Sequence, residues 1–196
     1  MAKNIMAVLL LFIAHLPLQA QELEPRALTN VPVGLNFLVV GYGYAQGNIL
    51  LDPAVPIEDL DSRLHTIVSA YVRAINIFGL SGKMDVVVPV AFGDWTGLYL
   101  GEGASRKIDG LGDPRVRLSV NLIGAPALRL NEYKNYQQKT VAGASLQLIA
   151  PLGQYDPSKL INLSTNRWTI RSQVGMSRTL NKWIVESYVG FWFFTN

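Results

Sequence analysis

The chain has 196 residues, of which 49% are hydrophobic and only 16% charged, with a formal charge of +3 and no cysteine. That charged share is well below the roughly 25% usual for soluble domains, and the small positive balance leaves no nucleic-acid footprint. The lack of thiols excludes a disulfide scaffold, a thiolate metal site, a cysteine nucleophile and lipid attachment through cysteine.

At the N-terminus Lys3 supplies a positive start, Ile5 to Ala14 form a short apolar run, and Pro17 breaks it. Residues 1–20 therefore read as a secretory signal peptide cleaved after Ala20, leaving 21–196 as one exported domain. Beyond this point no apolar stretch approaches the roughly 18 residues of a spanning helix. Instead, segments alternate with period two, as strands with two different faces do. In the first, Leu38, Val40, Tyr42 and Tyr44 oppose Val39, Gly41, Gly43 and Ala45. The second sets Leu64, Val68, Ala70, Val72 and Phe78 against His65, Ser69, Tyr71 and Arg73. The third sets Met84, Val86, Val88, Val90 and Phe92 against Lys83, Asp85, Pro89 and Ala91.

The fourth is the most regular, with Val116, Leu118, Val120 and Leu122 alternating with Arg115, Arg117, Ser119 and Asn121. The fifth places Ala142, Ala144, Leu146, Leu148 and Ala150 opposite Gly143, Ser145 and Gln147. In the sixth, Trp168, Ile170, Val174 and Met176 oppose Thr169, Arg171, Gln173 and Ser177. The seventh runs Trp183, Val185, Val189, Phe191 and Phe193 against Glu186, Tyr188 and Gly190. Segments of roughly 9 to 13 residues exceed ordinary strands and suit a tilted membrane strand.

Connections alternate in length. Gly79 to Gly82 and Thr179 to Lys182 are tight, whereas Gly47 to Asp61, Gly93 to Gly112 and Gly153 to Asn166 are long and rich in Gly, Pro and Asp. Short turns at one end and long loops at the other are the habit of membrane barrels. Gly124 to Gln138 breaks that rule, and its Leu128, Leu130, Tyr133 and Tyr136 predict one or two helical turns at the barrel rim. Tyr42, Tyr44, Phe92, Trp95 and Trp168 near one end, with Trp183 and Phe78 near the other, predict aromatic girdles.

The chemistry-bearing motifs are sparse. Gly41-Tyr-Gly43-Tyr-Ala-Gln-Gly47 has the wrong spacing for a dinucleotide loop. Only His15 and His65 exist, and neither completes a nucleophile–base pair. Glu58, Asp59 and Asp61 lack the ligand spacing of a calcium loop. No catalytic residue, cofactor or metal is expected. The inward charges say more: Arg73, Lys83, Asp85, Arg115, Arg117, Arg171 and Glu186 all fall on polar faces, joined by Tyr188. Such charges would cost several kcal/mol in a dry sandwich core but little in a wet lumen. Arg73 and Asp85 flank one tight turn and are expected to pair across it.

Several stretches together resemble a known family: Pro32-Val-Gly34-Leu-Asn36-Phe, Gly41-Tyr-Gly43-Tyr, Gly93-Asp94-Trp95, Gly112-Asp113-Pro114-Arg115-Val-Arg117, Pro151-Leu-Gly153-Gln-Tyr155-Asp-Pro157 and Asn166-Arg167-Trp168. They are similar to the phenol meta-pathway degradation family of outer-membrane, transporter-like β-barrel proteins. The resemblance covers most of Arg26 to Asn196, and it implies an outer-membrane barrel and uptake of small hydrophobic or aromatic compounds. It assigns no catalytic or binding residue. Family members usually run on for further strands, and outer-membrane chains tend to end on an aromatic residue, whereas this chain ends Phe194-Thr195-Asn196.

The expected architecture is all-β, an antiparallel up-and-down transmembrane barrel that is truncated to about seven strands and so forms an open curved sheet. The expected function is passive conduction of small hydrophobic or aromatic solutes, with Arg73, Asp85, Arg115, Arg117, Arg171, Glu186 and Tyr188 facing the lumen. Expected partners are outer-membrane lipid and the barrel-assembly machinery, with no nucleic acid. The alternatives are a structural outer-membrane barrel with a plugged lumen, and a secreted ligand-binding β-protein.

Overall fold

Phe78 and Gly79 decide where the longest hairpin reverses. Both take positive φ, 51° and 86°, the two-residue geometry whose twist matches that of paired strands, and the Asn76 side chain accepts the Gly79 N–H at 2.7 Å. Leu100 and Gly101 repeat the device with φ of 54° and 80°. A computed structural model describes residues 26–48 and 57–195 of the chain; the expected signal peptide, 1–20, lies outside them.

The strands are β1 (Asn36–Asn48), β2 (Ile57–Ile77), β3 (Leu80–Tyr99), β4 (Glu102–Leu111), β5 (Arg115–Ile123), β6 (Thr140–Ile149), β7 (Thr169–Leu180) and β8 (Trp183–Phe194). They form one antiparallel sheet in the order β1-β2-β3-β5-β6-β7-β8, with β4 paired to β3 off this path. The sheet curls into a half-barrel. Among the described residues β1 and β8 each have a single neighbour, so the sheet is open, as expected.

One strand was not expected. The span from Gly93 to Gly112, read as a loop from its glycines and acids, is the outer half of β3 and all of β4. Val90–Tyr99 pairs with Glu102–Leu111, while the inner half of β3 pairs with β5. Thus β4 and β5 are one strand interrupted by Gly112-Asp113-Pro114. Pro114 has no N–H to give a ladder, and Gly112 N–H donates back to the Pro89 carbonyl at 2.9 Å. Likewise Ile57 to Asp61, read as loop, already belongs to β2, with a register shift between Glu58 and Asp61. The expected helical turns are present as α1 (Leu130–Tyr133).

Register sorts the side chains into two faces. Leu38 pairs with Tyr71, Tyr71 with Val86, Val86 with Val116, Val116 with Leu148, Leu148 with Ile170 and Ile170 with Phe193. This convex face is uncharged along Met84 to Phe92 of β3, Val116 to Val120 of β5, and Ala144 to Leu148 of β6. The outward charges, among them Asp61, Arg63, Arg73, Asp94, Asp109 and Arg178, lie toward strand ends or in the β3–β4 extension, and the long side chains there reach polar surroundings.

The second strand corrects the sequence reading. Its Tyr71, Ser69, His65 and Arg73 share the convex face with Leu38, Val40, Tyr42 and Met84, while Leu64, Val68, Ala70 and Val72 share the concave face with Asp85 and Pro89. The reason is pairing: Arg73 stands opposite Met84, and Asp85 stands opposite Val72. The expected Arg73–Asp85 pair is therefore absent, because the two residues lie on opposite faces. Two small apolar clusters fix the ends of the sheet. Leu28, Ala125 and Val141 pack near the short turns with Tyr188 against them, and Leu60, Trp95 and Ile108 pack near the long loops.

Candidate functional site on the concave face

Antiparallel pairing carries one row of side chains straight across the concave face. Asp85 lies opposite Arg117, Arg117 opposite Gln147, Gln147 opposite Arg171 and Arg171 opposite Trp192. Asp85 and Gln147 are each only 3% exposed. Arg117 Nε–H donates to Asp85 Oδ2 at 2.9 Å. The Gln147 Nε2 amide is buried with no hydrogen-bond partner among the described residues, although a buried amide costs free energy unless it is satisfied. The neighbouring rows read Val87, Arg115, Ile149, Thr169, Phe194 on one side and Lys83, Ser119, Ser145, Gln173, Gly190 on the other.

Arginine and aromatic side chains meet at the loop end of β7 and β8. Arg171 sits over the Trp192 ring at 4.9 Å and Arg167 over the Phe194 ring at 4.2 Å. The two rings are stacked at 6.4 Å with an interplanar angle of 5°. Cation and ring attract through the ring quadrupole. Tyr71 is on the convex face, where its hydroxyl donates to Asn36 Oδ1. Tyr188 hydrogen-bonds Glu186 at 3.1 Å on the concave face. Trp192 and Phe194 were missed because a strand with aromatics on both faces hides its period.

Of the seven residues expected to face the lumen, Asp85, Arg115, Arg117, Arg171, Glu186 and Tyr188 stand on the concave face, and Arg73 stands on the convex one. With Lys83, these residues bring four cationic side chains and two carboxylates to the concave face of β3, β5, β7 and β8. Residues 26–35 run along this face near the short turns. Lys83 Nζ donates to the Ala27 carbonyl, Asn121 Nδ2 donates to the Leu28 carbonyl at 3.3 Å, and Arg26 N–H donates to Glu186 at 2.9 Å. Asn30 is fully buried and ties this segment to the β5–β6 connection: its N–H donates to Gln138 Oε1 and its Nδ2 to the Pro126 carbonyl. Tyr133 of α1 donates its hydroxyl to the Asn30 carbonyl at 2.9 Å.

At the opposite end, Asp113 organises the long β6–β7 connection. Its carboxylate accepts from Gly153 N–H, Thr165 N–H and the Thr165 hydroxyl at 3.1, 2.9 and 3.1 Å. Partial burial pushes its pKa up, but hydrogen bonds from Ser164, Thr165 and Gly153 together outweigh that and hold it below the usual carboxylate value. The connection is thereby folded back toward β3 and β4, where Ile161 and Leu163 pack on Leu60, Trp95 and Ile108. Between them opens a cleft of about 470 Å³.

The aromatic girdle has a different composition from the one expected. Tyr42 and Tyr44 flank His65 on the convex face, with Tyr42 Oη 2.7 Å from His65 Nδ1 and the Tyr44 ring 4.7 Å from the imidazole. Phe92, paired with His65, continues the band. Trp95, also expected there, is 8% exposed and lies on the concave side instead. Its ring covers Gly93, where a Cβ would come within 2.2 Å of it. Glu58, Asp59 and Asp61 straddle the register shift in β2, and no group of potential metal ligands occurs among the described residues.

Residues 65–196 match the model of the family described as "Putative MetA-pathway of phenol degradation". The fold is shared with a solved outer membrane channel from Pseudomonas putida F1, at a TM-score of 0.61 and 19% identity. That alignment covers 89% of this chain, which spans 61% of the channel's length. No curated protein matches the chain.

Proposed function

The chain belongs to this phenol-degradation family, and from that premise we propose that it forms part of the wall of an outer-membrane channel for small hydrophobic or aromatic solutes. The observation that carries the reading is the row Asp85, Arg117, Gln147, Arg171, Trp192. Charge and unsatisfied amide on the concave face suit a wet lumen, and the uncharged middle stretches of β3, β5 and β6 on the convex face suit lipid. The fold shared with an outer membrane channel supports the same location. On this reading lipid is the partner of the convex face, and the barrel-assembly machinery inserts the protein after export. The reading involves no catalysis: His65, the one histidine among the described residues, is hydrogen-bonded to Tyr42 on the outer face. Rings passing along the wall would meet the Arg171–Trp192 and Arg167–Phe194 pairs, whose faces and cations both attract aromatic solutes.

Liposomes carrying the complete protein should admit phenol and small substituted phenols faster than empty liposomes. Uptake equal to that of empty liposomes would overturn the channel reading. One observation favours a second reading, a structural barrel with a filled lumen. Residues 26–35 occupy concave space beside Lys83, Asn121 and Glu186. If that segment seals the path, the liposomes stay tight until it is deleted.

A further inference from the structure

We propose that the cleft between β3, β4 and the β6–β7 connection is a binding site for small aromatic carboxylates. Its wall is apolar and aromatic, with Trp95, Tyr99 and Leu160, and its charged lining is cationic, with Arg106, Lys107 and Lys159. Among the described residues no carboxylate lines it. Glu58 and Asp59 adjoin the lining residues Ile57 and Leu60 along β2; Asp156, which feels the charges of Lys159 and Arg106, is engaged by Ser158, whose N–H and hydroxyl donate to it at 2.9 and 2.7 Å. Arg106 Nε is buried with no hydrogen-bond partner among the described residues. Its position is fixed because Arg106 lies directly opposite Trp95 in the β3–β4 ladder.

These facts specify a ligand class. A buried guanidinium N–H without an acceptor calls for an anion, and arginine is suited to carboxylates. The apolar wall beside it calls for a flat hydrocarbon body. A volume of about 470 Å³ falls in the range of small-molecule sites and far exceeds what a bare inorganic anion would fill. Phenol lacks the charge, acetate lacks the ring and phosphate lacks both ring and shape. An aromatic carboxylate satisfies both halves. The proposal depends on the channel reading only for where the cleft leads; binding stands without it.

The test uses the full chain in detergent micelles, titrated with benzoate, phenol, acetate and inorganic phosphate and followed by saturation-transfer NMR and the Trp95 indole resonance. Benzoate should bind at least about tenfold more tightly than acetate or phosphate. Arg106→Gln should weaken benzoate about tenfold, as expected for loss of a charge-assisted hydrogen bond, while changing phenol binding by less than about twofold. Should that variant fail to fold, Lys159→Gln on the exposed loop should still weaken benzoate severalfold. Equal binding of phosphate and benzoate, or benzoate affinity indifferent to both substitutions, would overturn the proposal. Liposome flux separates the two readings. Benzoate bound but no solute passed overturns the channel and keeps the cleft; solutes passed with no benzoate bound does the reverse.

Discussion

Arg117 and Asp85 face each other across the β3–β5 ladder, and the guanidinium Nε–H donates to the carboxylate at 2.9 Å with side-chain exposures of 21% and 5%. A buried pair is expensive to break from one side, because the surviving charge stays out of water. Asp85→Ala should therefore destabilise the folded protein by about 3 kcal/mol or more, read from urea unfolding in detergent. The double replacement Asp85→Leu with Arg117→Met should cost far less than the single one. A single variant no worse than the double would show that the pair carries no such constraint.

The two faces should answer differently to an added charge. Leu118 is on the convex face and 48% exposed in the isolated chain, as a lipid-facing side chain is. Arginine there should cost roughly 2–4 kcal/mol near the bilayer midplane. Gln173, half-buried on the concave face, should accept arginine with a much smaller loss. Ser119 is not the right control, since it is 9% exposed and pairs with Lys83. Equal losses at Leu118 and Gln173 would refute the assignment of faces.

Gly93→Ala should disturb the loop end of the concave face. The new Cβ would fall 2.2 to 3.0 Å from three atoms of the Trp95 ring, so the ring must leave Leu60 and Ile108. Overpacking of this kind typically costs about 1–3 kcal/mol. Tryptophan emission should shift to the red, and benzoate binding in the neighbouring cleft should fall with it. An unshifted spectrum would show that the ring is not where the structure places it.

The long β6–β7 connection should loosen in acid. The Asp113 carboxyl has a folded-state pKa below its ordinary value of 3.8. Its stabilisation is thus fully present above that ordinary value and is lost as pH falls through the lowered one. Limited proteolysis within residues 153–166 should be slow from neutral pH down to about 4 and accelerate below it. In Asp113→Ala the same cuts should appear at pH 7. Protection unchanged in the variant would remove Asp113 from this role.

Much of this was legible in the sequence where one physical demand acted alone. In β5 the alternation of Arg115, Arg117 and Ser119 with Val116, Leu118 and Val120 separates a polar row from an apolar one, and pairing with β3 and β6 keeps the two rows on opposite faces. In β2 both faces carry apolar side chains, so hydropathy alone could not choose. The register against Asp85 and Lys83 of β3 decided it and placed Arg73 and Tyr71 outward. The β3–β4 extension was invisible for another reason. Its Asp94, Gly97, Gly101, Gly103 and Asp109 have the composition of a loop, because this ladder is held by backbone hydrogen bonds and needs no continuous apolar face. The cleft could not be read at all, since Arg106, Trp95 and Leu160 meet only after the β6–β7 connection has been folded back by Asp113.

The two-residue turns at Phe78–Gly79 and Leu100–Gly101 also govern the order of events as the protein forms. Each joins strands whose pairing begins at the very next residue, Ile77 with Leu80 and Tyr99 with Glu102. Closing such a loop forfeits little chain entropy, and hairpins zip in about 1–10 μs. The three-ply ribbon of β2, β3 and β4 should thus assemble early and serve as a template. β5 follows from β4 after only Gly112-Asp113-Pro114 and continues along the same flank of β3. β6 and β7 must wait for the longer connections of residues 124–139 and 150–168. The loop-end architecture is then in place before most of the wall has been laid beside it.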